Sequence, residues 1–126
     1  MPFHQTKILL IDDEPGLLFS LTAFLEDEGY HVHSTSTGED ALKNLKDEDF
    51  DAVIIDIRLP GKDGNEVMLE AIQSGCKARF LIHTGTADYQ LPQVLETYGI
   101  SQSDIFLKPL ADLDILCQAL NSRLLS

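Results

Sequence analysis

The chain has 126 residues, 44% of them hydrophobic and 24% charged, and a formal net charge of −12. This is chain enough for one domain with a proper core, and it leaves no room for a second. The charge and the absence of any Lys/Arg cluster exclude a phosphate-backbone interface, so no nucleic acid binding by this domain is expected.

Short aliphatic or β-branched runs alternate with stretches of helical period five times, the pattern of βαβ units on a parallel sheet. The first strand, Lys7–Ile11, stops at Asp12-Asp13-Glu14. Glu14-Pro15 then opens a helix, with proline in the first turn where its missing N–H is harmless, and Leu17, Leu18, Leu21, Phe24 and Leu25 mark its apolar face. Gly29 suits the left-handed position that ends this helix. Residues 31–34 form a second strand, less apolar and so nearer an edge. Thr37 caps a second helix whose inward residues are Ala41, Leu42 and Leu45.

The third strand, residues 52–56, is the apolar run Ala52-Val53-Ile54-Ile55 closed by Asp56. The turn-rich Leu59-Pro60-Gly61-Lys62-Asp63-Gly64 leads to a helix over about residues 65–74, with Val67, Leu69, Ala71 and Ile72 apolar. Arg79–Thr84 is the fourth strand, and a fourth helix is expected near residues 91–98 on the apolar positions Leu91, Val94, Leu95 and Tyr98. A fifth strand, residues 104–107, stops at Lys108-Pro109, and Asp112 caps a last helix carrying Leu113, Leu116, Leu120 and Leu124. No repeat, low-complexity tract or spacer interrupts the series, so residues 1–126 read as one α/β domain with a doubly wound five-stranded parallel sheet.

In such a sheet ligands bind outside the carboxyl ends of the strands, and Asp12, Asp13, Asp56, Thr84 and Lys108 all fall there. Carboxyl groups with an ordinary pKa of about 3.9 are ionised at neutral pH, so three crowded together repel unless a cation intervenes. Mg²⁺ suits the position, because it takes oxygen ligands from one or two carboxylates and keeps sites open for water and phosphate. An Asp56 oxygen can then attack a phosphoryl group to give an aspartyl-phosphate, with Lys108 and Thr84 binding the added oxygens. Taken singly, Asp12-Asp13 reads as a helix cap, Thr84 as a strand end and Lys108 as a solvated charge. Their order along strands one, three, four and five favours the joint reading.

This set, together with Asp56-Ile57-Arg58-Leu59-Pro60-Gly61-Lys62-Asp63-Gly64, resembles the receiver domain of two-component response regulators over essentially the whole chain. The resemblance implies a flavodoxin-like (βα)5 fold with strand order 2-1-3-4-5. It makes Asp56 the phosphoacceptor, with Mg²⁺ held by Asp12, Asp13, Asp56 and the backbone carbonyl of Arg58, and Asp13 the more direct of the acidic pair. It makes Thr84 the hydroxyl residue that moves on phosphorylation, and Lys108-Pro109 the pair whose cis peptide bond presents the lysine. The partners it implies are a sensor histidine kinase or phosphotransfer protein upstream and an output domain or protein downstream, with a homodimer also open. It describes a signalling switch that helps catalyse its own phosphorylation and dephosphorylation, not an enzyme on an external substrate. Its readout face is the fourth helix, fifth strand and last helix. Two departures stand out: Ile105 replaces the usual aromatic three residues before the lysine, and residues 99–104 are long for the family.

The alternative function is a Mg²⁺-dependent phosphohydrolase with an aspartyl-phosphate intermediate, which needs a second Asp two residues after the nucleophile; Arg58 stands there. A flavin module of similar fold would want a hydroxyl-rich phosphate loop, and Asp12-Asp13-Glu14 would repel that phosphate. His31 and His33 share a strand face but lack further ligands, and His83, one residue before Thr84, is expected to turn away from the pocket. Asp47-Glu48-Asp49 reads as a solvated loop, and Gly61 and Gly64 shape a turn without matching a phosphate-loop fingerprint. Cys76 and Cys117, far apart and without CxxC spacing, read as reduced thiols. Residues 1–7 lack a basic stretch followed by an apolar one, and no apolar run approaches the roughly 18 residues of a membrane span, so a cytoplasmic location is expected.

Overall fold

In the computed structural model, β1 (Lys7–Ile11), β2 (His31–Thr35), β3 (Ala52–Ile55), β4 (Arg79–Thr84) and β5 (Ile105–Leu107) form one parallel sheet in the order β2-β1-β3-β4-β5. The helices α1 (Pro15–Asp27), α2 (Gly38–Asp47), α3 (Gly64–Gln73), α4 (Gln93–Thr97) and α5 (Asp114–Leu124) complete the alternation. The structure describes residues 5–124; residues 1–4, read above for a leader, and 125–126 lie outside the described residues. Among the described residues no helix is long and apolar enough to cross a membrane.

The central strands are apolar at nearly every position because both of their faces are covered. Leu9, Ile11, Val53, Ile55, Phe80 and Ile82 pack in one core with Ala41 of α2, Val67 and Met68 of α3 and Leu95 of α4. The alternate residues Ile8, Leu10, Ala52, Ile54 and Leu81 pack in a second core with Leu21 and Leu25 of α1 and Leu116 and Leu120 of α5. Each such aliphatic side chain contributes about 1.5–3 kcal/mol on burial, so the two cores fix the sheet between its helix layers. β2, with its mostly exposed side chains, takes one edge as its polarity predicts.

Local signals set most of the boundaries. Pro15 stands in the first turn of α1, Gly29 follows that helix at φ 96°, and the Thr37 hydroxyl accepts from the Asp40 N–H at 3.1 Å. Asp63 and Glu66 cap α3 reciprocally, and the Asp112 carboxylate accepts from the Asp114 N–H at 2.9 Å. The fourth helix is shorter than expected: it starts after Pro92, keeps Leu91 and Leu95 inside, and leaves Val94 and Tyr98 exposed. In α3 it is Met68, not Leu69, that is fully buried. The long connection before β5 is taken up by a 3-10 turn, Gln102–Asp104, which Arg123 of α5 holds through Asp104 at 2.6 Å.

Register decides which side chains meet above the sheet. Ile11 pairs with Ile55, and Ile55 with Ile82, so the next residues stand at one level: Asp12 and Asp56 just past β1 and β3, and His83 still within β4. Counting alternation from Thr84 turned His83 away from the pocket; counted across the register, His83 stands level with Asp56 and on the Leu81 side of the sheet. It is 2% exposed, and neither ring nitrogen has a hydrogen-bond partner among the described residues. Burial, reinforced by the positive charge of Lys108, pulls its pKa from 6.5 down to about 4.

Two outcomes follow from these contacts. A Cβ on Gly64 would overlap the Asp56 carbonyl oxygen and Ile57 Cα, and the Gly64 N–H is itself held by the Ile57 carbonyl at 2.8 Å. Gly64→Ala should therefore lower stability by about 1–3 kcal/mol, read as a lower urea midpoint at unchanged slope; a wild-type midpoint would show that the backbones have room to part. For His83 the folded pKa lies below the unfolded one, so its contribution is complete above pH 6.5 and is lost as the pH falls from there through about 4. Wild type should lose roughly 3 kcal/mol more than His83→Leu between neutral pH and pH 4, and parallel pH profiles for the two proteins would contradict the assignment.

Candidate functional site

The carboxyl edge of the sheet is built from strand ends whose side chains have run out of core to join. Asp12, 2% exposed, directly follows β1, and its Oδ1 accepts the Glu14 N–H at 3.0 Å, which fixes the entry to α1. Asp56, 6% exposed, follows β3, where its own N–H donates to the Ile11 carbonyl at 2.9 Å. Its Oδ1 accepts the Ile57 N–H at 2.7 Å, leaving Oδ2 to face Lys108 at 3.0 Å. Lys108 reaches this point from the end of β5, where its N–H donates to the Thr84 carbonyl at 2.9 Å and its bond to Pro109 is cis. Thr84 closes β4, fully buried, with its hydroxyl accepting the Thr86 N–H at 3.3 Å.

One ammonium therefore serves three carboxylates. Lys108 Nζ lies 2.8 Å from Asp12 Oδ2, 2.6 Å from Glu14 Oε2 and 3.0 Å from Asp56 Oδ2, one acceptor for each of its three N–H donors. Burial alone would lower the Lys108 pKa, but its bonds to Asp12, Glu14 and Asp56 outweigh that and hold it above the ordinary lysine range. Burial likewise raises the Asp12 carboxyl, and the Lys108 contact offsets this only in part. Glu14 is the member of this group that the sequence reading did not place in the site. Its signal was the third consecutive acid after β1, which reads equally well as a helix-opening residue.

Asp13 is exposed and has no ion-pair partner among the described residues. One oxygen each from Asp12, Asp13 and Asp56 lies within 4.8 Å of the others. Such a set, all oxygen and in excess of the positive charge beside it, fits a hard divalent cation such as Mg²⁺ better than a thiophilic or imidazole-seeking metal. A cavity of about 850 Å³ opens over the group; Asp13, Asp56, Arg58, Thr84 and Lys108 line it, and so does His83, which corrects its expected exclusion. Asp12 joins these residues through its contact with Lys108, and Arg58 stands at the rim with its side chain exposed. His31 and His33 lie apart, on the edge strand β2, and Cys76 and Cys117 are free thiols.

Comparison with known proteins gives this geometry a family. The sequence model of the response regulator receiver domain matches residues 8–121. The transcriptional regulatory protein GlrR of Escherichia coli (strain K12) is 34% identical over 126 residues, covering 98% of this chain and 27% of GlrR. The cell cycle response regulator CtrA of Brucella ovis is 29% identical over 103 residues, covering 82% of this chain and 44% of CtrA. The chain spans less than half the length of either relative. Among solved structures, the response regulator TrrA from Thermotoga maritima, in complex with Mg(2+)-BeF, superposes with a TM-score of 0.79 at 29% identity, covering 95% of this chain and 99% of that one. A receiver domain protein from Clostridium thermocellum superposes at 0.82 with 26% identity, covering 94% of each chain. A match that runs from the first strand into the last helix, on the fold that solved receiver domains share, means that this chain belongs to the response regulator receiver domain family.

Proposed function

We propose that Asp56 accepts a phosphoryl group from a phosphohistidine on a sensor histidine kinase or phosphotransfer protein, and that the modified domain changes its affinity for a downstream output domain or protein. The observation that carries this reading is the Lys108 ammonium, delivered from the end of β5 to within 3.0 Å of the Asp56 carboxylate. An Asp56 oxygen attacks phosphorus, the P–N bond to the donor imidazole breaks, and the departing nitrogen keeps the electron pair and takes a proton from water. Lys108 exchanges its contact with Asp56 for the incoming phosphoryl oxygens, and the Thr84 hydroxyl donates to them. Asp12, Asp13, Asp56 and the Arg58 backbone carbonyl would hold Mg²⁺, which when bound offsets the negative charge of the phosphoryl oxygens. The same groups would assist hydrolysis of the aspartyl-phosphate, so the domain helps catalyse both gain and loss of its own modification.

The added group carries roughly −1.5 to −2 charge, and the elements joined to Thr84 and Lys108 are the ones placed to respond. Apolar side chains are exposed on each of them: Val94 on α4 with Tyr98 directly after it, Leu107 on β5 and Ile115 on α5. That supports α4, β5 and α5 as the surface through which an output partner, or a second copy in a homodimer, reads the state. We take residues 1–126 as a single receiver domain, acting in the cytoplasm where its kinase would meet it. The phosphohydrolase alternative wants an acid/base carboxyl two residues after Asp56, and the exposed cation Arg58 serves no such role.

Asp56→Asn should abolish Mg²⁺-dependent labelling by acetyl phosphate. Label retained on the variant at the wild-type level would move the acceptor to another residue.

A further inference from the structure

We infer that Tyr89 and Asn65 form a latch that positions the segment carrying Thr84, and that its release reports phosphorylation in a chain whose residue 105 is Ile. The inference rests on the phosphoacceptor role of Asp56. Between Thr84 and the five-residue α4 the chain forms no helix or strand, so regular structure does not hold residues 85–92. Hydrogen bonds do. The Thr86 N–H donates to the Thr84 hydroxyl at 3.3 Å, and the Tyr89 N–H donates to the Thr86 carbonyl at 3.1 Å. The Tyr89 hydroxyl donates to Asn65 Oδ1 in the first turn of α3 at 2.5 Å, while its ring packs against the core on that side of the sheet. Burial, with a lesser push from Asp63, raises the Tyr89 phenol to about 12, which keeps it a donor throughout the neutral range.

The far end of the latch leads back to Asp56. Asn65 follows Gly64, whose N–H is bonded to the carbonyl of Ile57, the residue after Asp56. Thr84 and Asp56 therefore sit at the two ends of one connected path of bonds through Thr86, Tyr89, Asn65 and Gly64. A phosphoryl group on Asp56 introduces acceptor oxygens, and Thr84 has one O–H to donate. As that hydroxyl turns toward them, its lone pair leaves the Thr86 N–H, a bond already long at 3.3 Å, and the turn from Thr86 to Tyr89 shifts. Tyr89 is drawn off Asn65, and residues 85–92 loosen beside α4. Ile105, packed against the same core, has no polar atom with which to take this part.

By linkage, a contact that opposes the phosphorylated state must weaken binding of a phosphoryl mimic. The test measures the apparent affinity for beryllofluoride in the presence of Mg²⁺, amide hydrogen exchange over residues 85–92, and thermal unfolding, in wild type, Tyr89→Phe and Asn65→Ala. Beryllofluoride should speed exchange over 85–92 in wild type; both variants should exchange fast without it and bind it about fivefold tighter, the effect of one ordinary hydrogen bond. Variants that unfold at lower temperature yet bind beryllofluoride as wild type does would make the bond merely structural and overturn the latch alone. Wild type and Asp56→Asn binding beryllofluoride equally would overturn the phosphoacceptor role, and the latch with it.

Discussion

The rest of this structure depends on an imbalance of charge at one edge of its sheet. Four carboxylates, those of Asp12, Asp13, Glu14 and Asp56, gather there around the single ammonium of Lys108, which contacts three of them. Two of the four are almost wholly buried, where mutual repulsion is poorly screened by water. The lysine saturates its own donors without neutralising the group. What is left is a site with net negative charge, oxygen donors only and an open cavity, a description that a hard cation and a phosphoryl group together satisfy.

The hydrophobic core makes this imbalance sustainable. β1, β3 and β4 are locked between two helix layers by residues with almost no exposure, so the strand ends cannot splay to relieve the repulsion. Register then places Asp12 beside Asp56, and the Gly64 N–H on the Ile57 carbonyl ties the loop after Asp56 to α3. Rigidity at the floor contrasts with the segment beyond Thr84, which forms no helix or strand before α4 and is held by a few hydrogen bonds, the Tyr89 ring and the buried Leu91. Under the proposed phosphorylation of Asp56, the stiff sheet on one side and the non-helical segment on the other would direct a response toward α4 and β5.

The fold and most of the site were legible in the sequence because each polar site residue terminates an apolar run. Asp56 after Ala52-Val53-Ile54-Ile55, and Lys108 after Ile105-Phe106-Leu107, announce a change of environment that no amphipathic surface strand would show. What escaped depends on contacts between distant residues. Glu14 joins the site through Lys108, 94 positions away, and local pattern cannot distinguish that from a helix-opening acid. His83 was misplaced because alternation within β4 says nothing about the level of β3 beside it; the pairing of Ile55 with Ile82 does. The fourth helix was overdrawn because Leu91 continues the apolar period across Pro92, where the backbone is still extended at φ −59° and ψ 139°. Packing chose Met68 over Leu69, a difference of one position that hydrophobicity alone does not resolve.

The central claim is that uncompensated carboxylate charge makes this edge a divalent cation site with Asp13 as its free ligand. Calorimetric titration of wild type and Asp13→Asn with Mg²⁺ tests it most directly, since Asp13 is exposed and its replacement leaves the buried contacts of Lys108 in place. One Mg²⁺ should bind per wild-type chain, with affinity at least about tenfold weaker in Asp13→Asn, equivalent to a loss of about 1.4 kcal/mol. Equal affinity in the two proteins, or no binding to wild type, would contradict the account.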